Sequence, residues 1–201
     1  MSNIFAKPET PPDSGILFLH GLEGSPEGSK ASHLKNKWDA ACPSLRTGLI
    51  RELSKSKGKM GWRDVDHKEI ELALEPVYQD AVQAVRYYKP NTIIGSSMGG
   101  AMLYKMAMEE VFDINQVSCI FLAPAINELL HEKAKSINAR NSFWIFGESD
   151  YVISKKENLA HAVNSSGSIV FSPGDNHRLT GALSSGLIDS AIITSVELSA
   201  L

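Results

Sequence analysis

Short continuous apolar runs alternate with longer amphipathic segments along most of the chain. Ile16-Leu17-Phe18-Leu19, residues 92–96, residues 117–123, residues 142–146 and residues 168–172 each read as a buried strand. Leu45 to Ile50 reads as a weaker sixth strand. Between these runs the apolar period changes from continuous to three- and four-residue spacing. In 68–88, Ile70, Leu72, Leu74, Val77, Tyr78, Ala81, Val82 and Val85 recur at three- and four-residue intervals and mark a long helix that Pro90 ends. Helices are also predicted over 27–40, with Leu34, Trp38 and Ala41 on one face, and over 99–111, 154–163 and 182–199. Residues 51–66 are polar, carry Gly58 and Gly61, and read as a long loop. Residues 125–138 read as a polar helical excursion.

Six β segments separated by helices predict parallel pairing through right-handed crossovers. The expected architecture is a three-layer α/β/α sandwich around a mostly parallel six-stranded sheet. Residues 1–14 are expected to form a flexible N-terminal tail, and 15–201 a single domain with a short helical flap near 125–138. In such sheets the active crevice lies at the carboxyl ends of the strands, where the winding reverses. His20-Gly21, Ser97, Asp150 and His177 all follow predicted strand ends.

Composition narrows the class. The chain has 201 residues, 43% hydrophobic and 21% charged, enough for one substantial core. A net charge of −3 carries no basic nucleic-acid footprint. No run approaches the roughly 18 apolar residues of a membrane span. Pro8, Glu9, Pro11, Pro12 and Asp13 argue against a signal peptide. Cys42 and Cys119 show no setting that asks for a disulfide, so a cytoplasmic location is expected.

Gly95-Ser96-Ser97-Met98-Gly99 carries the chemistry. This G-x-S-x-G lies between an apolar strand and a helix-forming run, the setting of a nucleophile elbow. A serine hydroxyl needs a base to take its proton and a third group to hold that base. His177, in the turn-rich loop Gly174-Asp175-Asn176-His177, is the candidate base. Asp150, in the loop after the fifth strand of the sheet, is the candidate orienting acid, with Glu148 and Asp175 as alternatives. Glu148 lies nearer the strand end, and Asp175, two residues from His177, reads as a turn-shaping residue. An acyl-transfer oxyanion needs two fixed donors. The backbone N–H groups of Met98 and Leu22 are the candidates. His20, Glu23 and Tyr151 border the crevice as candidate substrate contacts.

Leu19-His20-Gly21-Leu22, Gly95-Ser96-Ser97-Met98-Gly99-Gly100, Gly147-Glu148-Ser149-Asp150 and Asn176-His177 together resemble the signature set of the α/β-hydrolase superfamily. The first loop, His20 to Pro26 followed by Ser29-Lys30, resembles the small bacterial YqiA-like esterases. The resemblance implies a serine hydrolase acting on ester or thioester bonds of a small-molecule acyl substrate, with no metal and no cofactor. It implies an open site, because the superfamily's N-terminal hairpin is missing and the excursion at 125–138 is short. The chain is expected to act as a monomer or homodimer, without nucleic-acid partners. Other readings of the same residues are carbon–carbon bond hydrolysis, acyl transfer, and a non-catalytic binding protein of the same fold.

The remaining features have simpler readings. His33, His67, His131 and His161 are expected at the surface, without metal-ligand context. Trp62 and Tyr151 read as packing residues, Tyr151 leaning over the crevice beside Asp150. Arg51, Lys55, Lys57, Lys59 and Arg63 make the 51–66 segment locally basic, which fits either a solvated loop or a contact for an anionic substrate portion.

Overall fold

A computed structural model describes residues 13–58, 60–131 and 134–199. Residues 1–12 of the expected tail therefore lie outside the described residues. Among the described residues, strands β1 (Ile16–Leu19), β2 (Thr92–Ser96), β3 (Ser118–Leu122), β4 (Ser142–Gly147) and β5 (Ser168–Ser172) form one parallel sheet in the order β1-β2-β3-β4-β5. β1, β2 and β3 are buried along their whole lengths, as their continuous apolar runs require of a sheet covered on both faces. Phe121 and Trp144 face each other in register on β3 and β4, and their rings stack 4.0 Å apart.

Among the described residues the sheet has five strands rather than the six expected. Residues 48–56 form a helix, α2 (Gly48–Ser56), in place of a strand followed by a loop. A short apolar run does not by itself distinguish a strand from a helix segment. Here Ile50 is fully buried and Leu53 packs on the core three residues later, while Leu49 is 53% exposed. That is helical spacing. Gly58, at φ 59°, follows the helix. Trp62–Asp64 form a further 3₁₀ turn.

Among the described residues the chain touches the far edge of β1 at one place. After α1 (Ser29–Trp38) it returns beside β1 at Ala41, where Phe18 N–H donates to Ala41 O and Ala41 N–H to Ile16 O, each at 2.8 Å. It then runs through α2 and α3 (His67–Tyr88) to place β2 on the other side of β1. The winding reverses at β1, so the crevice is expected above β1 and β2. From β2 onward every step goes the same way, through α4 (Met98–Met108), α5 (Ile126–Leu129) and α6 (Lys155–Asn164). Right-handed crossovers then put α1 on one face and α3 and α4 on the other. After β5 the chain forms α7 (Thr180–Ser184) and α8 (Leu187–Ser199), and α8 packs across β2, β3 and β4. Buried Asp189 of α8 accepts hydrogen bonds from His33 Nε2, Trp38 Nε1 and Lys37 Nζ, at 2.9, 2.7 and 2.9 Å, and so ties α8 to α1.

The helix expected over 125–138 is one turn long. His131 sits at φ 49°, and residues 134–139 are irregular. The turn is fastened to α6: Asn158 Oδ1 accepts from Ile126 N–H and Asn127 N–H, and Glu128 accepts from Ser154 N–H and Asn158 Nδ2. Ile126, Leu129 and Leu130 are buried in the core. No helix among the described residues is long and apolar enough to cross a membrane.

Candidate active site

Ser97 follows the last residue of β2 and precedes the first of α4, at φ 52° and ψ −113°. A non-glycine residue there carries strain of about 1–3 kcal/mol, held in place by its surroundings. The neighbouring glycines make the turn possible. A Cβ on Gly95 would stand 2.7 Å from Gly100 Cα, and one on Gly99 2.1 Å from Leu19 O. The start of α4 is thereby seated against the exit of β1. Met98 N–H is the first of this helix, among the amides that have no acceptor one turn earlier.

Two loops meet the serine. Ser97 Oγ lies 2.8 Å from His177 Nε2, and His177 Nδ1 lies 2.8 Å from Asp150 Oδ2. The histidine thus links groups that are 80 and 27 residues away in the chain. Continued backbone bonding beyond the strand ends sets this geometry: Glu148 N–H donates to Ser172 O at 3.1 Å and Ser149 N–H to Asp175 O at 2.8 Å. The Asp150 side chain is fully buried, and its Oδ1 accepts from Val152 N–H at 2.8 Å. Burial opposes its charge. The hydrogen bond and charge of His177, with the Val152 and Ile153 amides, outweigh it and hold the carboxyl below its ordinary range. An ionised Asp150 keeps the proton of neutral His177 on Nδ1 and leaves Nε2 as an acceptor facing Ser97.

The two alternative acids are engaged elsewhere. Asp175 is buried and accepts from Ser172 Oγ, Asn176 N–H and Ala182 N–H, so it shapes the His177 loop and holds the start of α7. Glu148 is exposed and accepts from Gly174 N–H at 2.8 Å.

The loop after β1 runs against Ser97, since a Cβ on Gly21 would lie 3.1 Å from Ser97 Cβ. Within this loop the expectation for His20 needs correction. Its ring points inward, is 4% exposed and contacts backbone on both sides. Nδ1–H donates to Gly21 O at 2.8 Å, and Nε2 accepts from Leu45 N–H at 3.4 Å. It braces the loop and presents no free nitrogen to a substrate. Glu23 is largely exposed, 3.9 Å from Arg178, a distance at which a surface ion pair contributes little. Tyr151 is 93% exposed and is not packed over the crevice.

Two basic residues unassigned by the sequence support the site from a distance. Lys30 Nζ donates to Arg178 O at 2.6 Å, next to His177. Arg51 donates to two carbonyls of the His20–Gly24 loop. Nothing local marks either contact, which spans 148 residues in one case and 29 and 27 in the other. The other cations of the 51–66 segment include Lys57, on Met60 O and the Trp62 ring, and Arg63, paired with Glu157. His67 and His131 are half-buried rather than exposed, with ring centroids 4.9 Å apart. Among the described residues no cluster of three His, Cys, Asp or Glu is arranged to hold a metal ion.

A parallel sheet whose winding reverses at β1, with a serine on the strand-to-helix turn and a histidine from the last loop, defines a class of α/β proteins. Solved structures name the fold: it is that of the α/β hydrolases. An alpha-beta serine hydrolase homologue from Coxiella burnetii matches with a TM-score of 0.60 at 15% identity, over 93% of this chain and 88% of its own. The esterase Est1E from Butyrivibrio proteoclasticus, bound to ferulic acid, matches at 0.62 and 14%, over 90% and 89%. The carboxylesterase of Bacillus cereus matches at 0.55 and 17%, over 88% and 87%. No protein-family model matches the chain, and no curated protein sequence does.

Proposed function

We propose that this chain is a serine hydrolase cleaving carboxylic ester or thioester bonds through an acyl-enzyme on Ser97. One observation carries the reading: His177 bridges Ser97 Oγ and Asp150 with 2.8 Å on each side. Those distances are within the reach a nucleophile and its base require.

Ser97 Oγ attacks the substrate carbonyl carbon while its proton passes to His177 Nε2. Asp150 stabilises the imidazolium that forms. The carbonyl oxygen becomes an oxyanion, held by the Met98 and Leu22 N–H groups. The N-terminus of α4 favours negative charge at that place. His177 then returns the proton to the departing alcohol or thiol, and the acyl group stays on Ser97. Water, deprotonated by His177, attacks the acyl carbon; the bond from the acyl carbon to Ser97 Oγ breaks, His177 returns the proton to Oγ, and the acid leaves. No step calls for a metal or cofactor.

The fold neighbours that are esterases support an ester substrate of small size. The test is hydrolysis of p-nitrophenyl esters from acetate to palmitate by wild type and Ser97→Ala. Wild-type activity, with a fall of at least about 1,000-fold in the variant, is expected. Equal rates in both would overturn the nucleophile. A parallel series of acyl thioesters tests the sulfur leaving group.

A further inference from the structure

The Gly21–Leu22 peptide carries the Leu22 N–H that the proposed reaction uses, and four hydrogen bonds fix the chain around it. Gly21 O accepts from His20 Nδ1 at 2.8 Å and from Gly24 N–H at 3.0 Å. A trans peptide points its C=O and N–H in opposite directions. Holding the Gly21 carbonyl on one side therefore aims the Leu22 amide to the other. That leaves the next carbonyls of the turn. Leu22 O accepts from Arg51 Nε, and Gly24 O from Arg51 Nη2, each at 2.8 Å.

We propose that Arg51 is the positioning residue of the oxyanion loop, a strut from α2 that locks the Leu22 amide in its donating orientation. The inference rests on the serine-hydrolase reading above. A planar guanidinium offers several N–H groups in a fixed fork, so one side chain spans two carbonyls at a set separation. Both bonds are charge-assisted, the stronger kind. The strut is itself anchored: Ile50, the preceding residue of α2, is fully buried, Leu53 packs on the core, and α2 packs along α3. The neighbouring His20 must stay neutral to donate through Nδ1 while accepting at Nε2. Burial pushes its pKa down, and the Arg51 charge acts the same way, against the bond to Gly21 O. The one side chain thus holds the loop and favours the form of its second brace.

A loop that is loosened but still folded presents the Leu22 N–H less often, and the loss falls on the transition state, where the oxyanion exists. The experiment compares wild type, Arg51→Lys and Arg51→Gln. Each is titrated with a fluorophosphonate to count competent Ser97 sites, followed through thermal unfolding, and assayed on the best p-nitrophenyl ester. The expected result is a fall of about 10- to 100-fold in kcat per titrated site, with KM within about threefold of wild type. Arg51→Lys does not restore it, because an ammonium lacks the two-pronged fork. Affinity for a trifluoromethyl ketone, whose tetrahedral adduct places an oxyanion in the same site, falls in parallel with kcat/KM.

Unchanged kcat per titrated site in both variants would overturn the positioning role, whether or not the Tm drops. A purely structural residue lowers the Tm and the number of sites and leaves each surviving site fully active. Failure of the underlying reading has a different signature: wild type itself is silent on esters and thioesters, and Ser97 does not label.

Discussion

His177 Nδ1 and Asp150 Oδ2 lie 2.8 Å apart, while the other carboxylate oxygen, Asp150 Oδ1, is committed to the backbone N–H of Val152. This division of labour makes Asp150→Asn a sharp test. The Val152 and Ile153 amides need an acceptor, so the asparagine carbonyl oxygen takes the Oδ1 place. Its NH₂ group then faces His177 Nδ1. Two donors cannot share that contact, so Nδ1 becomes the acceptor and the ring proton moves to Nε2, against Ser97 Oγ. A base that carries its proton on the wrong nitrogen cannot accept another. The expected fall in kcat is about 1,000- to 10,000-fold, with the protein still cooperatively folded and its thermal unfolding midpoint lowered only modestly by loss of the ionised carboxylate. Ester hydrolysis and circular dichroism on the same samples check both parts. A loss below tenfold would remove Asp150 from the proton path.

The Asp189 cluster predicts how stability depends on pH. Burial opposes the charge of this carboxylate, but hydrogen bonds from Trp38, His33 and Lys37 prevail and hold its pKa below the ordinary value. A carboxylate depressed on folding contributes stability that is complete above the unfolded pKa, about 4, and is lost as pH falls toward the lower folded value. Asp150 and Asp175 are shifted in the same direction and add to the same acid loss. Asp189→Asn should therefore be less stable than wild type at pH 7, by about 1–3 kcal/mol, with the gap narrowing below pH 4. Denaturant unfolding from pH 3 to pH 7 measures this. Parallel curves across the range would show that Asp189 does not set the slope.

The parts of the site legible in the sequence are those that sit at strand ends. Ser97, Asp150 and His177 follow apolar runs that the structure shows as β2, β4 and β5, and a parallel sheet collects such ends along one edge. What was not legible depends on contacts distant in the chain. The ring of His20 turns inward because Leu45 N–H waits for it, 25 residues on. Arg51 reads as one basic residue among several until α2 sets it across Leu22 and Gly24. Leu45–Ile50 failed for a different reason. A short apolar run fits both periods, and among the described residues the one bridge on the outer edge of β1 is at Ala41. The 125–138 helix failed because Ile126, Leu129 and Leu130 are drawn into the core and His131 breaks the turn after them.

Glycine spacing around Ser97 yields a matched pair of substitutions. A Cβ on Gly99 would meet the backbone of Leu19 and His20, at 2.1 Å from Leu19 O and 2.8 Å from His20 O. Backbone at the end of a buried strand cannot move aside without unseating the β1 exit. Gly99→Ala is expected to cost more than about 3 kcal/mol and to abolish Ser97 labelling. Gly48, at the start of α2, has nothing within 4 Å of an added Cβ. Gly48→Ala should be neutral or stabilising, by up to about 1 kcal/mol, through the unfolded chain. Thermal unfolding of the two variants side by side decides the matter. Similar midpoints would mean that the elbow has more room than its glycines indicate.

The two cysteines, both free thiols, give a chemical probe of how tightly the body is closed. Cys119 lies on β3 and is wholly buried, which pushes its thiol up to about 12. Cys42 is only part-buried, yet burial raises it to about 11 despite the nearby charge of Lys35, and its sulfur faces the carbonyls of Ala31 and Ala40. The thiolate is the nucleophile, and at pH 7.5 a thiol of that pKa is ionised in roughly one molecule in several thousand. Native protein should therefore resist iodoacetamide at pH 7.5 over an hour, and show the same intact mass with and without reductant. In denaturant both residues should alkylate within minutes. Because α1 and the Ala41 bridge enclose Cys42, its reaction rate also reports opening of the β1 edge, next to the loop that carries Leu22. Rapid labelling of Cys42 in the native protein, with Cys119 still protected, would show that this edge opens readily.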